Sequence, residues 1–89
     1  MNEQEALRIS ASITREQLKD WFTELQCRDC KRWFNSPYLY PKAKLERDIP
    51  YLISAAQDER LHGDKAILAL RFHAKQIPWI ENILIALEL

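Results

Sequence analysis

The sequence predicts an all-α fold, a compact bundle of four to five short helices. Three observations predict it. Glycine occurs once in 89 residues, whereas the tight turns of β-hairpins call for Gly or Asn-Gly. Leu, Ala, Glu, Gln, Lys and Arg are abundant, and these side chains lose little freedom in a helix. No stretch alternates apolar and polar residues with period two, while several repeat apolar residues near the 3.6-residue period.

The length suits one helical domain spanning residues 1–89, in which about 60–65% of the unfolded surface is buried. Hydrophobic residues make up 47% and charged residues 29%, a balance that favours a folded chain over a disordered one.

Residues 1–12 are expected to form a short or frayed helix to which Ala6, Leu7 and Ile9 bring the apolar contribution. The next start is sharper. Thr14 and Gln17 have the spacing of a capping box, and Ile13 can staple onto Leu18. From Arg15 the residues Leu18, Trp21, Phe22, Leu25 and Trp33 fall on one side, so this helix is expected to reach about Phe34 and stop at Asn35-Ser36-Pro37. Ser36–Pro37 then starts a short segment. Asp48 reads as the cap of a further helix with Pro50 in its first turn and Ile49, Leu52, Ile53 and Ala56 inward. Gly63 stands where that helix's C-terminus would want a glycine. Asp64 caps the next helix, Lys65 to about Gln76, with Ala66, Ile67, Leu70, Ala74 and Ile77 as its stripe. Leu68 and Phe72 lie on its opposite side. Pro78 then kinks or divides the remainder, leaving open whether the last element is a hairpin partner or a bent continuation.

This C-terminal part is apolar nearly all round: Trp79, Ile80, Ile83, Leu84, Ile85, Leu87 and Leu89. A helix apolar on every side is buried on every side. The pair is therefore expected at the centre of the bundle, with Leu68, Phe72, Trp79 and Ile80 as candidates for self-association into a homodimer. Pro-Tyr-Leu recurs at Pro37 and Pro50. A unit so short cannot hold a helix pair, which leaves chance or a reused helix-start pattern.

The 13 basic and 13 acidic residues cancel. This argues against binding driven by charge alone. Locally, however, residues 28–47 carry Arg28, Lys31, Arg32, Lys42, Lys44 and Arg47 against Asp29 and Glu46, interleaved with Trp33, Phe34, Tyr38 and Tyr40. Cations for phosphates and flat rings for bases are what single-strand binding uses. The same aromatic and Arg types also carry protein–protein hot spots. A helix-turn-helix reading lacks a polar, basic recognition helix.

Cys27 and Cys30 are the only cysteines. Zinc needs about four ligands, and His62 and His73 are far along the chain and eleven residues apart. A redox pair belongs at a helix N-terminus, whereas these residues fall late in an expected helix. Neither a metal nor another cofactor is expected. His73 reads as a core-edge histidine. No Gly-rich phosphate loop, nucleophile elbow or Glu-x-x-His pattern occurs, so no enzymatic activity is expected. "MNEQEALRIS" has no apolar stretch of a secretory signal, and "IPWIENILIALEL" is shorter than the ~20 residues that span a bilayer. The expected setting is cytoplasmic, away from membranes.

By elimination the sequence points to a small non-enzymatic module that binds a larger protein, as a regulator or inhibitor, through Arg32, Trp33, Phe34, Tyr38 and Tyr40. The alternative is a DNA- or RNA-binding module that contacts phosphates through Arg28, Lys31, Lys42, Lys44 and Arg47. A zinc-stabilised fold on Cys27 and Cys30 is a third, weaker option.

Overall fold

A computed structural model describes residues 1–25, 42–58 and 63–89. Among these residues there are five helices and no strand: α1 (Glu3–Ser12), α2 (Arg15–Leu25), α3 (Lys42–Ala56), α4 (Gly63–Ala74) and α5 (Pro78–Ala86). The all-α bundle read from the sequence is the architecture observed.

Local chemistry explains the first two helices. Asn2 caps α1, its Oδ1 accepting the Glu5 N–H at 2.8 Å. Glu3 and Glu5 occupy the first turn, where the helix dipole favours negative charge. At α2 the expected capping box is formed in both directions. Thr14 Oγ1 accepts the Gln17 N–H at 3.1 Å, and Gln17 Oε1 accepts the Thr14 N–H at 2.9 Å. Ile13 is half-buried and Leu18 is buried in the same core, as a hydrophobic staple requires. The expected run of this helix to Phe34, and the segment at Ser36–Pro37, lie outside the described residues.

The structure corrects two boundaries. Asp48 does not cap a helix. It lies buried inside α3, which starts at Lys42 and carries Pro50 within it. An interior proline removes one hydrogen bond and costs about 3 kcal/mol in isolation. Here burial offsets that cost. Pro50 is among the fully buried side chains, together with Ile49, Leu52 and Ile53. The Pro-Tyr-Leu at 50–52 therefore marks no helix start.

Gly63, expected to close a helix, instead opens α4. It has no positive φ, so its value is space. A Cβ there would sit 2.9 Å from the Ala55 carbonyl oxygen, 3.1 Å from that of Asp58 and 3.2 Å from that of Ala56. Only glycine lets the start of α4 approach the end of α3 this closely.

Pro78 divides rather than kinks. It is the first residue of α5, a position where its missing N–H costs nothing. The end of α5 is closed by a Schellman motif: Leu89 N–H donates to Leu84 O at 2.8 Å and Glu88 N–H to Ile85 O at 3.1 Å. Glu88 takes the left-handed conformation this motif needs, φ 57°, where glycine is usual.

Helix α3 packs against α1, α2 and α4, while α5 packs on α4 and α1. The six largest fully buried aliphatic side chains divide evenly. Ile49, Leu52 and Ile53 come from α3; Leu70, Ile80 and Ile83 come from α4 and α5. Ser54 Oγ on α3 donates to Ser10 O on α1 at 2.8 Å, joining segments far apart in sequence. None of the described helices is long and apolar enough to cross a membrane.

Candidate functional site

Helix α2 packs against the middle of α3 and leaves a cleft of about 430 Å³ between them. Small-ligand and side-chain pockets fall in this size range, about 300–1,000 Å³. On α2 the cleft is lined by Gln17, Asp20, Trp21 and Glu24. These stand at i, i+3, i+4 and i+7, one face of a helix. On α3 it is lined by Arg47, Asp48 and Tyr51, which share a face because the helix passes through Asp48 without interruption.

The aromatic rings form the floor. Trp21 and Tyr51 stack with centroids 5.5 Å apart and planes 15° from parallel. Trp21 is only 6% exposed, so most of its indole belongs to the core. Asp20, Glu24 and Arg47 are exposed at the rim, and Asp48 is 1% exposed at the base. Three carboxyl side chains and one guanidinium thus line the cleft. Gln17 is held in place because its Oε1 is engaged in the α2 cap. Among the described residues, no group of three His, Cys, Asp or Glu side chains could hold a metal ion. The acidic residues are therefore spread along the cleft rather than gathered on a point. That arrangement suits an extended cation, an ammonium or guanidinium carried on a stem that can cover aromatic surface.

A second hollow of about 410 Å³ lies between α1 and the end of α3. Leu7, Ile13, Leu18 and Leu87 dominate its walls, and Ser54 in its lining is already bonded to Ser10. It has fewer charged groups to orient a ligand than the α2–α3 cleft.

Of the residues singled out in the sequence, Arg28, Lys31, Arg32, Trp33, Phe34, Tyr38, Tyr40, Cys27, Cys30 and His62 lie outside the described residues. Lys42 and Lys44 fall in the first turn of α3. Arg47 lines the cleft. Leu68 is 60% exposed, and Phe72 and Trp79 are half-buried. Ile80 is a correction. At 1% exposure it is enclosed by the chain's own core, because it faces inward from α5 beside Ile83 and Leu84, and it has no surface to offer a second copy. His73 is buried, as expected of a core-edge histidine. Desolvation by burial lowers its pKa from the usual 6.5.

The sequence reading missed the cleft. It assigned Trp21 to the core alone and Asp48 to a cap. The spacing of Asp20, Trp21 and Glu24 was available as a signal, but the matching face of α3 appears only once Asp48 and Pro50 are placed inside one helix. No protein-family model, curated protein or solved structure matches the chain.

Proposed function

We propose that the chain is a protein-binding module, a small regulator or inhibitor, whose α2–α3 cleft receives a lysine or arginine side chain of a larger protein. The supporting observation is the lining of the cleft: Asp20, Glu24 and Asp48 around the stacked rings of Trp21 and Tyr51. Carboxylates attract the cationic head, and the aromatic floor takes its aliphatic or planar stem. An exposed ion pair alone contributes about 0–1 kcal/mol. Affinity then depends on the desolvated base of the cleft, while the rim charges set orientation and association rate. Occupying a partner's surface needs no reacting group, so the reading is non-enzymatic. A cytoplasmic setting fits it, since Cys27 and Cys30 would persist there as thiols.

The alternative, nucleic-acid binding through residues 28–47, is disfavoured by the surroundings of Arg47. It shares its cleft with Asp20, Glu24 and Asp48, which would repel a phosphate.

The test places a photo-activatable cross-linker at position 24 in cells of the source organism. One protein should be trapped through a Lys- or Arg-rich surface, and an added Asp20→Lys change should abolish the adduct. A reversal at Glu3 and Glu5, outside the cleft, should leave it intact. No adduct, or one indifferent to Asp20→Lys, would contradict the reading. Binding to generic DNA that falls steeply with salt would favour the alternative.

A further inference from the structure

The outer sides of α4 and α5 carry the most exposed large aliphatic side chains of the two helices, Leu68 at 60% and Ile85 at 69%. A single exposed leucine needs no explanation. The charges around these two do.

On α4 Leu68 is flanked by exposed Lys65 and Arg71, and exposed Lys75 follows directly after the helix. Phe72, half-buried, lies beside it with the Lys75 ammonium 5.9 Å from its ring centroid. Asp64, one turn before Leu68, is the sole exposed acid on this helix. On α5 the signs are reversed. The exposed residues near Ile85 are Glu81, Asn82, Ala86 and Glu88, with no base among them. One helix of the hairpin is thus basic about an aliphatic centre, and its neighbour is acidic about another.

The heights agree as well. The connection Lys75–Ile77 turns the chain so that α5 packs back on α4. Counting outward from the turn between Gln76 and Ile77, Leu68 and Ile85 are equally distant in sequence. So are Phe72 and Glu81, and Lys65 and Glu88. A two-fold axis running along the hairpin preserves height and sets α4 of one copy over α5 of the other, in both halves at once. Leu68 then meets Ile85 of the second copy, and the Lys65–Arg71–Lys75 row meets Glu81 and Glu88. Such self-complementarity is what an isologous contact requires. We infer that this face joins two copies of the chain in a symmetric dimer, with α4 of each packed on α5 of the other. The inference is independent of the α2–α3 cleft, whose lining residues come from other helices.

Sedimentation or light scattering over a range of protein concentrations tests it. The wild-type chain should approach twice its 10.6 kDa mass, with association weakening as salt screens the flanking charges. Arg71→Glu and Glu81→Lys, each at an exposed position, should each raise the dimer dissociation constant by about tenfold or more, since like charges then oppose one another in both halves. Mixing the two variants should restore dimers, because every contact in the mixed pair is again between opposite charges. Melting curves recorded at a concentration where wild type and variants are all monomeric should coincide, which shows that folding is unaffected. A wild-type chain that stays monomeric throughout would overturn the proposal. So would dimers indifferent to either reversal, or variants that remain monomeric when mixed.

Discussion

The α2–α3 cleft and the outer side of the α4–α5 hairpin use aromatic or aliphatic groups and charge in opposite arrangements. In the cleft the aromatic part lies deep beside the buried Asp48, and Asp20, Glu24 and Arg47 stand at the rim, with acidic residues in excess. On the hairpin the aliphatic groups stand outermost, and charge of opposite sign is sorted onto separate helices. Trp21, 6% exposed, serves both the core and the cleft, whereas Leu68 and Ile85 at 60% and 69% serve the surface alone. A concave site built this way shares atoms with the core, so altering its floor should destabilise the fold. A convex one does not, so altering it should change association and little else.

The largest expected effect sharpens that contrast. Trp21→Ala should cost about 3–5 kcal/mol, a large share of the roughly 4–13 kcal/mol expected for a chain of this size. Leu68→Ala should stay within about 0.5 kcal/mol. Denaturant titration of both, at a concentration where the chain is monomeric, checks this. Equal losses would erase the distinction between the two regions.

Next in size is Gly63→Ala, at the junction where the hairpin meets the end of α3. The added Cβ meets three backbone carbonyl oxygens, the nearest at 2.9 Å, and backbone cannot yield as a side chain can. A loss of about 1–3 kcal/mol is expected, lowering the melting temperature by several degrees. An unchanged melting temperature would mean that α4 does not approach α3 so closely.

A smaller change of opposite sign is expected at Glu88→Gly. Glu88 holds φ 57° in the Schellman closure of α5, a conformation that costs a side-chain-bearing residue about 1 kcal/mol. The variant should therefore be more stable by about 0.5–1 kcal/mol, as read from the denaturation midpoint.

The smallest effect is a pH dependence. Burial lowers the His73 pKa below 6.5, so the unfolded chain takes up a proton more readily than the folded one. The stability that His73 confers as a neutral side chain is complete above pH 6.5 and declines as pH falls through the window beneath it. Between pH 7 and pH 5 the wild-type melting temperature should drop further than that of His73→Gln. Parallel curves would contradict this.

Much of the fold was legible because its signals are local. Thr14 and Gln17 form a capping box through their own hydrogen bonds, and Ile49, Leu52, Ile53 and Ala56 face inward by helical spacing alone. Pro50 and Gly63 were misread because what decides them is not local. Proline is tolerated inside α3 where tertiary burial surrounds it, and Gly63 answers to carbonyl groups five to eight residues earlier in the chain. The misreading of Asp48 followed from that of Pro50, and with it the cleft was hidden. Leu68 was legible as outward-facing from the α4 stripe. Ile80 was not separable from Ile85 on a helix that is apolar on every side.

The acidic cleft as a receptor for a cationic side chain is tested most directly by titrating the protein with a short arginine-containing peptide while recording NMR spectra. The Trp21 indole and Tyr51 ring signals should shift and saturate. The shifts should shrink in high salt, as charge screening demands, and vanish in the Asp20→Lys/Glu24→Lys variant, whose fold should be unaltered because both positions are exposed. Signals that stay still in the wild type, or that move equally in the variant, would contradict the account.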